Sequence, residues 1–276
     1  MKLDAGRLSA VVRKEFRVLV RNRFIIGTMA VLPLIFLATP MIEIFRLSPG
    51  VPAIVVQRLA GSTFLLLLVV PVVVPAAIAA YSVVGEREQG TLEPLLTTPL
   101  RREELLLGKA VAAFVPSVAI SYLLFILVIV CAQLFASDPA VASALVQSSQ
   151  LVGEFLFAPL LAGWSIWVGI GISTRASDVR VAQQLGTLSS LPPLAVVALV
   201  SFNVFTPSVT LAVVFALILL VADVILFRVV VALFDRERLI TGASAQRPPS
   251  GGGQLPPAGA VRQIRRIERT GGSDDG

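Results

Sequence analysis

Long apolar runs, each ended by a short polar or charged stretch, set the pattern of this chain. A window of about 19 residues picks out six segments near the ~20 residues that a helix needs to cross a ~30 Å hydrocarbon core. They fall at residues 24–45, 60–84, 110–135, 155–173, 185–204 and 208–233. Leu, Val and Ala fill them without the alternation of a barrel strand, so helices are predicted. Ahead of them, "RLSAVVRKEFRVLVRNR" is amphipathic at about 100° per residue, with Leu8, Val11, Val12, Phe16, Val18 and Leu19 in one arc. Arg7, Arg13, Lys14, Arg17 and Arg21 gather opposite, with Glu15 and Arg23 as exceptions. Such a helix lies in the headgroup layer with its basic face toward anionic lipid. It serves as a topological anchor or as a moving part; the wheel fits both.

Composition supports a membrane protein. Of 276 residues, 56% are hydrophobic and 14% charged, and a mean hydropathy of +0.87 lies outside the soluble range. The first span is too long for the core of a signal peptide and lacks a nearby cleavage site, so a retained span is expected. The expected fold is all-α and integral to the membrane: residues 1–23 an interfacial helix, 24–234 six transmembrane helices, 235–276 a tail. Gly and Pro supply 12 of the last 35 residues, which predicts disorder there. Within that tail, "VRQIRRIER" reads as a solvated basic segment or a short helix on anionic lipid.

The pI of about 10.4 invites a nucleic-acid reading, but the placement of the cations argues otherwise. Of 23 Lys and Arg, all but Arg46 and Arg58 fall on one side of the predicted spans. The positive-inside rule then puts both termini and residues 85–109 in the cytoplasm. Basicity here is an orientation signal, and no nucleic-acid partner is expected.

One charged stretch between the second and third spans stands out: "VGEREQGTLEPLLTTPLRREELLLGKA", residues 84–110. Gly85 ends the span, Glu86, Arg87 and Glu88 emerge, and Gly90 permits a reversal. Thr91 is placed to cap a short helix with Glu93 and Pro94 in its first turn. Leu92, Leu95 and Leu96 form an apolar knob that wants a soluble partner. "RREELLLGK" then starts the helix that leads through Lys109 into the third span.

These residues resemble the E-R-E-x-G-T-L-E-x-L-L-x-T-P signature of ABC-2 type permeases, followed as there by E-L-L-L-G-K. The resemblance extends over residues 1–240, and "STRASDVRVAQQLG" before the fifth span is similar to the sodium and drug exporter branch. It implies a type V exporter-like architecture in which residues 85–109 couple to a separate P-loop ATPase. Carried over, Glu86, Glu88, Gly90, Thr91, Leu92, Glu93, Leu95 and Leu96 are the coupling residues. A second permease subunit, homo- or heterodimeric, is implied as well. Arg101 and Arg102 depart from the small capping residue usual in the family. Only "NVFTPSVT" (203–210) remains for the re-entrant gate that the family often inserts before its last span.

No G-x-x-x-x-G-K-[ST] occurs in the chain, so ATP and magnesium are expected on the partner ATPase, with no cofactor or metal on this polypeptide. Without histidine, and with Cys131 as the sole cysteine inside the third span, no triad or zinc site can be assembled from the usual residues. The chain is therefore expected to be a transporter subunit and not itself an enzyme.

Charges inside spans cost about 2.5–3.5 kcal/mol on insertion scales and usually have a purpose. Asp223 is the clearest, either paired with Arg228 or in the pathway. Gln183, Gln184, Ser189 and Ser190 are the other pathway candidates. Glu43 and Glu154 are placed at hydrated outer mouths. Pro71 and Pro75, and Pro192 and Pro193, predict bends. Ser165, Gly169 and Ser173 form a stripe that permits close helix approach. The function expected is the membrane-spanning permease of an ATP-driven exporter. A membrane scaffold that recruits a cytoplasmic partner without transport is the alternative.

Overall fold

A computed structural model describes residues 4–21, 23–91, 101–202 and 209–234. The predicted knob at residues 92–96, most of the segment 203–210 and the whole tail 235–276 lie outside the described residues. Among the described residues there are helices and no strand. They are α1 Ala5–Arg21, α2 Arg23–Arg46, α3 Ala53–Tyr81, α4 Val84–Glu88, α5 Arg102–Phe135, α6 Pro139–Leu145, α7 Ser148–Ser173, α8 Val179–Ser189, α9 Leu191–Ser201 and α10 Val209–Leu233. Among the described residues six segments are long and apolar enough to cross a membrane, with α8 and α9 together forming the fifth.

Helix α3 is the hub. It packs against α2, α5, α6, α7, α8 and α9, and Leu67, Leu68, Val72, Ala76 and Ala80 have no accessible surface. In hydrocarbon, helix association gains little from expelling water, so close packing and interhelical hydrogen bonds have to supply it. Small residues make that approach possible. A Cβ added at Gly61 would strike the Ser201 carbonyl, and one at Gly169 would lie 2.7 Å from the Ala79 methyl. The predicted stripe on α7 is therefore a packing face, with Ser165 and Ser173 also fully buried. One apolar cluster joins Phe64, Leu68 and Val72 of α3 to Phe157 and Leu161 of α7, Val197 of α9 and Leu219 of α10. The outward faces of α2 and α10 carry exposed Leu34, Ile35, Leu217 and Ile218, which suits contact with lipid tails.

The fifth span is broken where its prolines fall: α8 stops at Ser190 and α9 restarts with Pro192 and Pro193 in its first turn, where the missing N–H groups are tolerated. Pro71 and Pro75 sit inside α3. One expectation is corrected here. Glu154 is not at a hydrated mouth. It is fully buried, and its Oε1 accepts a hydrogen bond from Ser121 Oγ at 2.9 Å.

Helix α6 went unread because it is short and sits in a loop. Asp138 caps it by accepting from the Ala140 N–H, and its other oxygen accepts from the Gly50 N–H, both at 2.9 Å. Those two backbone donors hold its carboxyl below the usual carboxylate range. Gly50 has φ +84°, a left-handed turn that favours glycine. The α2–α3 and α5–α7 connections are thereby tied together at the end of the bundle away from α1.

Candidate functional site

The stretch singled out in the sequence begins where α3 stops. Ser82 and Val83 turn the chain, and the buried Ser173 hydroxyl at the end of α7 organises the turn. Its Oγ donates to the Ala80 carbonyl at 2.7 Å and accepts from the Val83 and Val84 N–H groups at 3.2 and 3.1 Å. Helix α4 follows, seated by Gly85 on the Tyr81 ring. The Arg87 guanidinium donates to the Ala176 carbonyl in the α7–α8 connection. Two loops at the α1 end of the bundle are thus latched together by one hydroxyl and one guanidinium.

Glu86 does not emerge as expected. It is buried within a four-charge junction of α1, α4 and α5. Lys14 Nζ lies 2.9 Å from Glu15 Oε1 and 2.5 Å from Glu86 Oε1; Lys109 Nζ lies 3.0 Å from Glu15 Oε1 and 2.9 Å from Glu86 Oε2. Lys109 also donates to the Ser82 carbonyl at 2.8 Å. Two cations and two carboxylates balance, which offsets the cost of seating a lysine side chain only 2% exposed. Burial pushes the Glu15 carboxyl up, but Lys109 and Lys14 outweigh it and hold it below its usual value. Burial likewise acts to lower the Lys14 ammonium, and Glu15 and Glu86 overcome that and raise it.

A second link fixes α1 to α5. Glu104, buried one turn into α5, accepts from the Arg101 N–H at 3.1 Å and from the Asp4 N–H at 3.2 Å. The departure at Arg101 and Arg102 therefore leaves the helix start intact, because the cap comes from Glu104. Gly108 lets the two helices cross closely, with Val11 where its side chain would be.

The junction corrects the reading of α1. Its buried residues are Val11, Glu15 and Leu19, facing the bundle. Phe16 and Val20 remain exposed, and with Leu8 and Val12 they line an open groove beside Arg13, Arg17 and Arg21. Arg7 is paired with Asp4 at 3.6 Å, and Lys14 turns to the carboxylates. Glu15 was missed in the sequence, yet a signal was there: a lone acid in the middle of an apolar arc.

Beyond the junction, Glu88, Gly90 and Thr91 are exposed. Gly90 has φ +68°, the reversal expected of it. The Thr91 N–H turns back to the Glu86 carbonyl at 2.9 Å. Leu92, Glu93, Leu95 and Leu96 lie outside the described residues.

The pathway candidates meet three consecutive residues of α7. The Asp223 carboxylate lies against Gly163, where a Cβ would come within 2.5 Å of Oδ2. Trp164 Nε1 donates to the Ser189 carbonyl at 3.2 Å, and Ser165 Oγ is 3.0 Å from Ser190 Oγ. Asp223 Oδ1 is buried without a hydrogen-bond partner, and among the described residues Arg228 forms no ion pair with it. Gln183 is half-buried and Gln184 exposed; no hydrogen bond among the described residues joins either to Asp223. Ser190 is occupied by packing bonds to Ser165 and to the Gly186 carbonyl.

No curated protein matches the chain. Residues 9–234 match the family model described as ABC-2 family transporter protein, a region that runs from α1 through the end of α10. The match takes in the charged junction and all six candidate spans, and the chain belongs to the ABC-2 family of transporter proteins.

Proposed function

We propose that this chain is the permease subunit of an ATP-driven exporter, oriented with both termini in the cytoplasm, and that residues 85–109 couple it to a separate ATPase subunit. The observation that supports the reading best is the charged junction. A docking stretch is useful only if movement imposed on it reaches the spans, and Glu86 at its base is tied to α1 through Lys14 and to α5 through Lys109. Arg87 and Ser173 extend the tie to the ends of α7 and α8.

In this reading, Glu88, Gly90, Thr91, Leu92, Glu93, Leu95 and Leu96 meet the ATPase, and Glu86 transmits the motion instead of touching the partner. ATP and magnesium are bound and hydrolysed on the ATPase. A second permease subunit completes the pathway, and Asp223, packed at Gly163 where the fifth and sixth spans converge on α7, is the residue to test within it. Arg13, Arg17 and Arg21 hold α1 at the headgroups while its inner face moves with the bundle.

The test is gentle purification of the tagged chain beside a Leu92→Asp, Leu95→Asp double variant. A P-loop ATPase that accompanies the parent chain and is lost from the variant supports the assignment. A folded parent chain that carries no ATPase favours a membrane scaffold.

A further inference from the structure

Helices α8 and α10 both pack on α7 and leave between them a groove of about 580 Å³, within the roughly 300–1,000 Å³ of typical ligand sites. Its walls are Trp167 and Ile172 of α7, Val181 and Leu185 of α8, and Leu226 and Val230 of α10, and Arg175 and Ser177 stand at its mouth. Val181 and Leu185 are 44% and 45% exposed, so these two walls present apolar surface to whatever enters sideways. Arg175 follows α7 by two residues, at the boundary where a span meets headgroups. It is exposed, and among the described residues its guanidinium has no acid or hydrogen-bond partner. Trp167, eight residues earlier, is about 12 Å deeper at 1.5 Å per residue. It is held against Phe227 with ring centroids 4.9 Å apart.

We propose that this groove binds an anionic phospholipid from the leaflet at the α1 end, its phosphate on Arg175 and one acyl chain laid along α7 toward Trp167. The chemistry is complementary at both ends. A planar guanidinium matches phosphate oxygens in a way that a hydrated ammonium does not, and the walls offer an acyl chain the contacts it has in the bilayer. An anionic head is favoured over a zwitterionic one because Arg175 lacks a counter-charge and a choline group would bring a second cation beside it. The site depends on the membrane assignment but not on the ATPase reading.

The chain contains two tryptophans, Trp164 and Trp167, which makes the groove optically addressable. The full chain carrying Trp164→Phe, in nanodiscs, is titrated with phosphatidylglycerol or phosphatidylcholine brominated on the acyl chain, and Trp167 quenching is followed. Half-quenching is expected at a mole fraction about fivefold lower for the anionic lipid. Arg175→Gln removes that preference, and Arg46→Gln, at the opposite end of the bundle, keeps it. Equal quenching by the two lipids, a preference that survives Arg175→Gln, or a Trp167 that neither lipid quenches, as when a second copy covers the groove, overturns the proposal. Should Trp164→Phe fail to fold, native mass spectrometry of the unaltered chain and Arg175→Gln counts retained phosphatidylglycerol. Retention by the first and loss by the second is expected, and equal retention overturns the proposal.

Discussion

Lys109 at the head of the third span and Glu15 in the middle of the N-terminal helix meet at 3.0 Å across 94 residues of chain. Because Lys109 also reaches Glu86 and the Ser82 carbonyl, one ammonium group joins α1, α4 and α5 to the end of α3. A charge this deep is tolerated only while every partner is present. Removing one leaves the others uncompensated, at about 3–5 kcal/mol for a buried pair.

Lys109→Met is therefore expected to be far more damaging than Lys14→Met, since Lys14 has a 41% exposed side chain and water can replace it. Adding Glu15→Gln and Glu86→Gln to Lys109→Met should recover much of the loss. Thermal unfolding in detergent of the single and triple variants checks this, and additive losses would contradict it.

The junction also sets a pH window for α1. Glu15 is lowered from its ordinary 4.5, so its contribution is complete above that value and is lost as pH falls through the lowered one. Lys14 is raised from 10.5, so its contribution is complete below that value and is lost as pH rises through the raised one. Protection of α1 from hydrogen exchange, corrected for intrinsic rate, should be flat between these limits and decline on both sides. Glu15→Gln should shrink the acid decline, leaving the part carried by Glu104, whose carboxyl the Arg101 and Asp4 N–H groups hold low.

Ser173→Ala should loosen the latch between the two loops. It strips the buried Val83 and Val84 N–H groups of their acceptor, a cost of about 1–3 kcal/mol. Limited proteolysis near Gly90 should accelerate, and Ser173→Thr, which keeps the hydroxyl, should stay closer to the parent.

Gly163→Ala places a methyl against the Asp223 carboxylate. The carboxylate must then turn aside or carry the sixth span away from α7, with a loss of up to about 1–3 kcal/mol for overpacking. Asp223→Ala in the same chain should relieve it. A double variant as unstable as Gly163→Ala alone would show that the contact does not govern the packing.

Residue order displayed the spans well because hydrocarbon thickness dictates length and composition directly, as the agreement at α2 and α10 illustrates. The paired prolines marked the fifth span as bent but not how, since a proline near a helix start looks in sequence like one inside a bend. Glu154 was misplaced by its distance from the span end; only the helix neighbours that bury it reveal its setting. Sequence puts Glu86 among the coupling residues and Lys109 at the head of the third span, with nothing to pair them. Their pairing depends on α1 folding back over the start of α5, a long-range contact with no local signature beyond Glu15 in its apolar arc.

The most direct test of the coupling account is permease-dependent, vanadate-sensitive ATP hydrolysis by the copurified complex, compared between the parent chain and Lys109→Met. Residues 85–109 as a transmitting stretch predict that Lys109→Met retains the ATPase but hydrolyses about tenfold more slowly, a change of ~1.4 kcal/mol in the coupled step. Hydrolysis at the parent rate with the ATPase still bound would contradict it, because the junction would then be a structural brace with no part in relaying motion.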